Sequence, residues 1–313
     1  MSGQSVTSIP PQYKSAAGRK KISYSVEELE RQPLIEVVCG MKGVGKTYGT
    51  IIEIDNYVRN KTYRKGRKAL ILDFNNEKDY YKYATVLPEY VGRLTEQRAR
   101  RVIPIKPNGK PYSPEDMKKV AEYCCTRFKN GLLVLEDPDK YLYGKQGSSI
   151  IGMLTTNRHS GLDVIIAHQS IGKISTTEWQ NCAFLRLHHQ LDPVENYADR
   201  ITNFPLVKIA QIVVDKKYYE AVRLFKDERA ISEKEFKKRR SFNVFINMLE
   251  GKIIGCTIED FREAAIEFIK TNPKFISRQM LIGDSKGKKL SREGAIHELL
   301  KKYMVFHDGR AKE

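Results

Sequence analysis

The 313-residue chain has no apolar run near the roughly 18–20 residues that a membrane-spanning helix needs. Its longest candidates, "LLVL" and "LDVIIA", have the length of strands. No C-x-x-C pair occurs among the five cysteines, Cys39, Cys124, Cys125, Cys182 and Cys256. The odd number and the spacing exclude a disulfide framework or a zinc module and fit a reducing cytosol. The neighbours His188 and His189 lie in a strand-like run, so they point to opposite faces and suit packing rather than one shared metal. The opening "MSGQSVTSIPPQYKSAAGRKK" lacks the apolar core of a secretory signal and reads as a flexible arm over residues 1–30. No internal repeat is seen.

Acidic residues are also comparatively few. There are 38 Asp+Glu against 55 Lys+Arg, a formal net charge of +17. Such an excess attracts polyanions, nucleic acid first among them, although charge spread evenly for solubility gives the same total. A hydrophobic fraction of 41% is enough to build a core.

From about Leu34 to Phe225, apolar strand-like runs alternate with helical ones. "LIEVVC", "ALILDF", "RVIPI", "LLVLED", "LDVIIAHQ" and "AFLRLHH" read as strands, and "AQIVVD" and "YYEAVRLF" as closing strands. "KTYGTIIEIDNYVRN" and "GSSIIGMLTTNRHSG" read as helices. "SPEDMKKVAEYCCTRFKNG" carries helix punctuation: Ser113 as N-cap, Pro114 in the first turn, Asp116 in a capping box and Gly131 as the stop. "DPVENYADRI" reads as a helix opening on Asp192. Short strands separated by helices predict an α/β domain over residues 31–225, with a mostly parallel sheet covered on both faces. Residues 226–313 read as a small basic helical appendage.

The chemistry begins at Gly40-Met41-Lys42-Gly43-Val44-Gly45-Lys46-Thr47, which fits G-x-x-x-x-G-K-[ST], the Walker A pattern, followed by Tyr48. Glycines let backbone N–H groups wrap around phosphates, and the helix that follows presents its N-terminal amides to the anion. Lys46 would reach the β- and γ-phosphates of ATP, and the Thr47 hydroxyl would ligate Mg²⁺. Lys42 sits one residue away from the position of a second signature lysine and is read as solvated.

A magnesium-dependent hydrolase also needs acid at a neighbouring strand end. "LLVLEDPD" supplies Glu136 and Asp137, resembling a Walker B pair, with Asp139 as a weaker third. One carboxylate would hold the metal's water shell and the other would orient the attacking water. The order is Glu-Asp, so the sequence leaves the two roles unassigned. Gln169 ends the next strand-like run and would face the γ-phosphate if that strand lay between the Walker strands. Arg158 just before it could serve a neighbouring subunit's nucleotide as a trans finger, or could oppose its own helix dipole, and Arg186 is its rival.

This set, Walker A, the acidic pair and then "NRHSGLDVIIAHQ", resembles the FtsK–HerA superfamily of DNA-pumping ATPases, in particular its viral genome-packaging branch. In that branch an R-H segment, here Arg158-His159, precedes a strand ending in glutamine, here Gln169. The resemblance implies a RecA-like P-loop NTPase fold, ATP and Mg²⁺ as cofactors, and a homo-oligomeric ring, a hexamer or a pentamer. It implies double-stranded DNA as the translocated partner and a viral portal or vertex protein as the docking partner. It further implies Lys46 and Thr47 on phosphate and metal, Glu136 and Asp137 at the hydrolytic site, Gln169 as sensor and Arg158 as finger. The expected location is the cytoplasm, the host's for a viral chain, with the packaging vertex as the place of action. Candidate DNA contacts are the basic runs Tyr63 to Lys68, Glu96 to Arg101, Phe236 to Arg240 and Lys286 to Lys289.

Other readings stay open at this level. One is a Zot-like phage assembly ATPase, which usually carries a membrane span. A helicase or mobilisation ATPase is another. The last is a P-loop kinase or a scaffold that binds without turnover, and no kinase lid signature is found.

Overall fold

The computed structural model describes residues 33–61, 67–141, 152 and 160–307. The N-terminal arm, the greater part of "YRKGRK", and the predicted helix that carries Arg158 and His159 lie outside the described residues. The chain packs as two compact units that divide between Ala183 and Phe184. The sequence reading put its boundary at 225/226.

The first unit carries six strands: β1 (Ile35–Cys39), β2 (Lys68–Leu72), β3 (Ala84–Thr85), β4 (Ala99–Val102), β5 (Gly131–Glu136) and β6 (Leu162–His168). Their order is β3-β4-β2-β5-β6-β1, and every pair among them is parallel. β1, β5 and β6 are buried throughout, which is why they read as unbroken apolar runs rather than alternating ones. Their side chains still divide by face. Leu70, Leu72, Leu133, Leu135, Val164 and Ile166 pack with Ala121, Cys124 and Phe128. Ala69, Ile71, Leu132, Val134, Ile165 and Ala167 pack with Ile54, Tyr57 and Tyr80. The helices behind these layers are α1 (Lys46–Val58) and α2 (Pro114–Arg127), with the short α3 (Thr176–Asn181) following β6. This is an α/β unit with a parallel sheet. β6 lies between β1 and β5, the arrangement that the reading of Gln169 required.

The punctuation of α2 is as expected at its start. Ser113 Oγ accepts from Asp116 N at 3.1 Å, and Asp116 Oδ2 accepts from Ser113 N at 3.1 Å. Its end differs. The helix stops at Arg127, and Gly131 is the first residue of β5. A Cβ at Gly131 would stand 2.6 Å from the Lys68 carbonyl oxygen, so that glycine serves strand packing and not helix termination.

The second unit opens with β7 (Phe184–His188), which pairs antiparallel with β8 (Asn243–Asn247), and β8 pairs antiparallel with β9 (Lys252–Ile254). Between them runs α4 (Phe204–Val222), continued by one π-helical turn, Arg223–Asp227, and by α5 (Glu233–Arg240). After the hairpin come α6 (Ile258–Thr271), α7 (Pro273–Ile282) and α8 (Arg292–Met304).

Three sequence expectations are corrected in this unit. "AQIVVD" and "YYEAVRLF" are not strands, because both fall within α4 or its π-helical continuation. Val207, Ala210, Val214 and Ala221 are buried along the helix, so the helical period outweighed the β-branched run. "DPVENYADRI" forms one 3₁₀ turn, Val194–Tyr197, capped from Pro193 rather than Asp192. Residues 226–313 also contain a β-hairpin besides their helices. α6 is fastened to α4 by Lys217–Asp260 at 2.8 Å and by a Lys216–Glu263 pair. The chain beyond residue 225 is thus part of the unit that α4 belongs to.

Candidate active site

The segment from Gly40 to Gly45 leaves β1 and enters α1. Gly43 and Gly45 have φ of 81° and 84°, the left-handed region that side chains disfavour. No side chain caps α1: Gly45 is its N-cap residue and makes no side-chain hydrogen bond. The first amides of a 13-residue helix therefore face the loop without an internal acceptor, which is the construction of an anion cradle.

Lys46 is buried in the first turn. Its ammonium donates to the carbonyl oxygens of Gly40 and Met41, so the cation closes across the loop. Burial holds its pKa below the ordinary lysine value, against the opposing pull of Asp137 and then Glu136. Thr47 is half-buried beside it, and Lys42 and Tyr48 are exposed.

Across β6, the end of β5 carries the two acids. Glu136 is buried, and Tyr80 donates its hydroxyl hydrogen to Glu136 Oε1. Burial drives the Glu136 pKa up to about 7. The Tyr80 bond and Lys46 oppose that rise, while Asp137 and Asp73 reinforce it. Asp137 adopts φ 46°, ψ 56°, a left-handed conformation that costs a non-glycine residue on the order of 1–2 kcal/mol. Its backbone N–H donates to Ala167 O at 3.1 Å, and its Oδ2 accepts from Gln169 Nε2 at 2.9 Å and from Asn75 Nδ2 at 3.2 Å. Lys140 Nζ lies 3.3 Å from the same oxygen. The structure thus brings Asp137 and Gln169 together beside Glu136, with Lys46 electrostatically coupled to both acids.

Sequence reasoning missed the segment after β2. Asp73, Asn75 and Tyr80 all come from "DFNNEKDY", and the latter two bond the two Walker B acids. Asp73 is fully buried. Its pKa is raised by burial, which outweighs the bonds from Glu77 N and Arg101. The available signal was an acid ending a strand-like run, "ALILDF". Asp139 lies in the turn Pro138–Lys140, 3.6 Å from Lys173 Nζ and 3.8 Å from His168 Nδ1.

The basic runs fare differently. Arg101 is buried and donates to Asp73 Oδ2 at 2.9 Å and Asn76 Oδ1 at 3.1 Å, so it is a structural cation and not a DNA contact. Arg100 pairs with Glu96 at 3.0 Å. On α5, Lys237 pairs with Glu233 at 2.5 Å and Arg239 with Glu235 at 2.8 Å, which offsets part of that helix's charge. Lys286, Lys288 and Lys289 stay exposed, and backbone N–H groups of the first two bond Asp284. Arg186 is buried on β7, so its guanidinium does not present itself to a neighbour as an exposed finger would.

The residues fit a nucleotide with a hard divalent cation. The cradle offers N–H donors and one ammonium. The Thr47 hydroxyl and the two carboxylates are oxygen donors of the kind Mg²⁺ takes, alongside phosphate oxygens and water. Among the described residues no three His, Cys, Asp or Glu side chains gather as a complete metal cage. Buried Glu136, its pKa raised, beside half-buried Asp137 forms a place where a cation relieves repulsion.

Comparison with known proteins adds the following. No curated protein matches the chain. Among solved structures, it is similar to the genome packaging NTPase B204 from Sulfolobus turreted icosahedral virus 2 in complex with AMPPCP, with 15% identity, 71% of this chain and 96% of that one covered, and a TM-score of 0.46. For B204 described as the DNA-packaging ATPase of Sulfolobus Turreted Icosahedral Virus the values are 15%, 71%, 96% and 0.44. The N-terminal domain of zonular occludens toxin from Neisseria meningitidis gives 13% identity, coverage of 49% and 75%, and a TM-score of 0.29. The family described as Zonular occludens toxin (Zot) matches residues 34–243, which span the Walker A loop, both acids and Gln169, and the chain belongs to that family.

Proposed function

We propose that this protein hydrolyses ATP and uses the energy to move double-stranded DNA in phage assembly, as a homo-oligomeric ring docked on a viral portal or vertex protein. The observation that carries the reading is the meeting of three strand ends. The phosphate cradle after β1, the acids after β5 and Gln169 after β6 converge in one sheet with β6 in the middle.

The roles follow from the environments. The loop amides of residues 40–47 and Lys46 hold the β- and γ-phosphates. Thr47 and Glu136 are the protein's oxygen donors toward Mg²⁺, and bound Mg²⁺ supplies neutralisation of phosphate charge. Asp137 is the more accessible acid, its side chain 14% exposed, and it orients the attacking water. Gln169 holds Asp137 and senses the γ-phosphate. Arg158 serves as the trans finger of the neighbouring subunit. The net charge of +17, with Lys286, Lys288 and Lys289 exposed, supports a polyanionic partner.

A second reading is favoured by the family match over residues 34–243: export of phage particles, with nucleotide turnover independent of double-stranded DNA. Hydrolysis measured with and without double-stranded and single-stranded DNA, for wild type and Glu136→Gln, separates the two. Stimulation by duplex DNA in wild type alone supports translocation. DNA-independent turnover supports export. Phosphorylation of a nucleoside monophosphate supports a kinase, and binding without turnover supports a scaffold. Charge reversal at Lys286, Lys288 and Lys289 tests the DNA surface better than truncation after Phe225, which would strip α6 from α4.

A further inference from the structure

His168, the last residue of β6, is only 1% exposed and occupies a junction that none of these roles uses. Its backbone carbonyl accepts from the N–H of Gly40, the first glycine of the phosphate loop, at 3.2 Å. Its ring Nε2 stands 3.0 Å from Glu178 Oε1. Its Nδ1 stands 3.8 Å from Asp139 Oδ2, within ion-pair reach, in the turn two residues beyond Asp137. The next residue is Gln169, whose amide donates to Asp137.

Both carboxylates are themselves fixed. Glu178 Oε2 accepts from Ser175 N at 2.6 Å, and Ser175 Oγ accepts from Glu178 N at 3.2 Å, the capping box that opens α3. Asp139 is also paired with Lys173 at 3.6 Å. A histidine kept for packing alone would need one acceptor or none. Here a buried ring faces acids on both edges, and those acids belong to two different segments around the site. Such an arrangement costs desolvation that an apolar side chain would avoid, so its return lies in geometry.

We propose that His168 is a positioning residue: it clasps the end of β6 to the turn after β5 and to α3, and thereby holds the Gln169 amide on Asp137. This rests on the hydrolase reading above. The clasp acts through Gln169, so its loss and the loss of Gln169 are one event and not two. A purely structural histidine would lower thermal stability and leave turnover of the folded fraction intact.

The test is a double-mutant cycle on the full chain, measuring ATP hydrolysis with Mg²⁺ and duplex DNA. His168→Asn is expected to lower kcat at least tenfold, with KM changed less than threefold. His168→Asn combined with Gln169→Ala is expected to lose no more than Gln169→Ala alone. If His168→Asn turns over like wild type, or if the two losses multiply, the assignment is overturned. Should His168→Asn fail to fold, Glu178→Gln replaces it in the same cycle. It keeps an acceptor and the side-chain length, and the same non-additivity with Gln169→Ala is expected; independent losses overturn the proposal. Failure of wild type to hydrolyse ATP overturns the hydrolase reading first, and that outcome appears before any variant is compared.

Discussion

Gln169 Nε2 donates to Asp137 Oδ2 at 2.9 Å, joining the end of β6 to the turn after β5. The two residues are 32 positions apart in sequence. Their bond depends on β5 and β6 being parallel neighbours in register from Gly131↔Leu162 to Glu136↔Ala167. Gln169→Ala removes one of the donors that orient the Asp137 carboxylate, leaving Asn75 and Lys140 on the same oxygen. Hydrolysis is expected to fall by one to two orders of magnitude, on the scale of losing one oriented group at a reacting centre, with nucleotide affinity held. Steady-state kinetics beside equilibrium binding of a fluorescent ATP analogue checks both halves.

Lys46→Met is expected to abolish nucleotide binding without lowering thermal stability. The ammonium is buried and its pKa is lowered by desolvation, so relief of that desolvation offsets the lost bonds to the Gly40 and Met41 carbonyls. In a melting experiment, an ATP analogue at a hundredfold excess over Kd stabilises wild type by about 2.7 kcal/mol. The variant's melting temperature is expected not to respond.

Glu136 sets a pH dependence of opposite sign to the usual carboxylate. Its folded pKa, about 7, lies above the ordinary 4.5. A raised acid binds its proton more tightly when folded, so stability falls as pH rises from about 4.5 and levels off above about 7. Glu136→Gln removes that penalty. With EDTA present, urea unfolding is expected to find the variant more stable than wild type at pH 8, by on the order of 3 kcal/mol, and equal below pH 4.5. The same variant is expected to bind nucleotide and not hydrolyse it.

His168 works the other way. Burial alone would lower its pKa, but Asp139 and Glu178 outweigh burial and raise it to about 9 from 6.5. The clasp therefore contributes fully below about 6.5 and is lost as pH climbs through 9. On the acid side Glu178 and Asp139, both lowered by His168, withdraw their share as they protonate. The stability difference between wild type and His168→Asn is expected to be largest near pH 6 and to shrink by pH 10, followed by urea titration at each pH.

Arg101 belongs to a basic run and yet is no DNA contact. Arg101→Ala leaves Asp73 buried without its ion partner, a loss of about 3–5 kcal/mol of the kind seen when one member of a buried pair is removed. Urea midpoints are expected to drop accordingly, while duplex-DNA affinity measured below the unfolding range stays within twofold. Lys286, Lys288 and Lys289 changed together to Glu are expected to do the reverse, and to reduce the salt dependence of binding.

The parallel sheet was legible because β1, β5 and β6 are buried on both faces and therefore read as unbroken apolar runs. The phosphate loop was legible because glycine spacing and one lysine are local requirements. α4 misled because Ile209, Val213 and Val214 favour strands in isolation, and only packing along one helix face decided the matter. Asn75, Tyr80 and His168 were silent because nothing local marks a residue whose partner lies 10 to 62 positions away.

The sequence by itself determined the phosphate cradle, the acidic strand end and the polar end of the strand that follows, since each is a short-range pattern tied to a fixed chemical task. Tertiary structure alone decided which polar groups meet. The order β2-β5-β6-β1 sets Gln169 on Asp137, folds the segment after β2 over Glu136 and seats His168 between two acids. The physical reason is that hydrogen bonds reach about 3 Å, and only the register of parallel strands brings such distant residues within that reach.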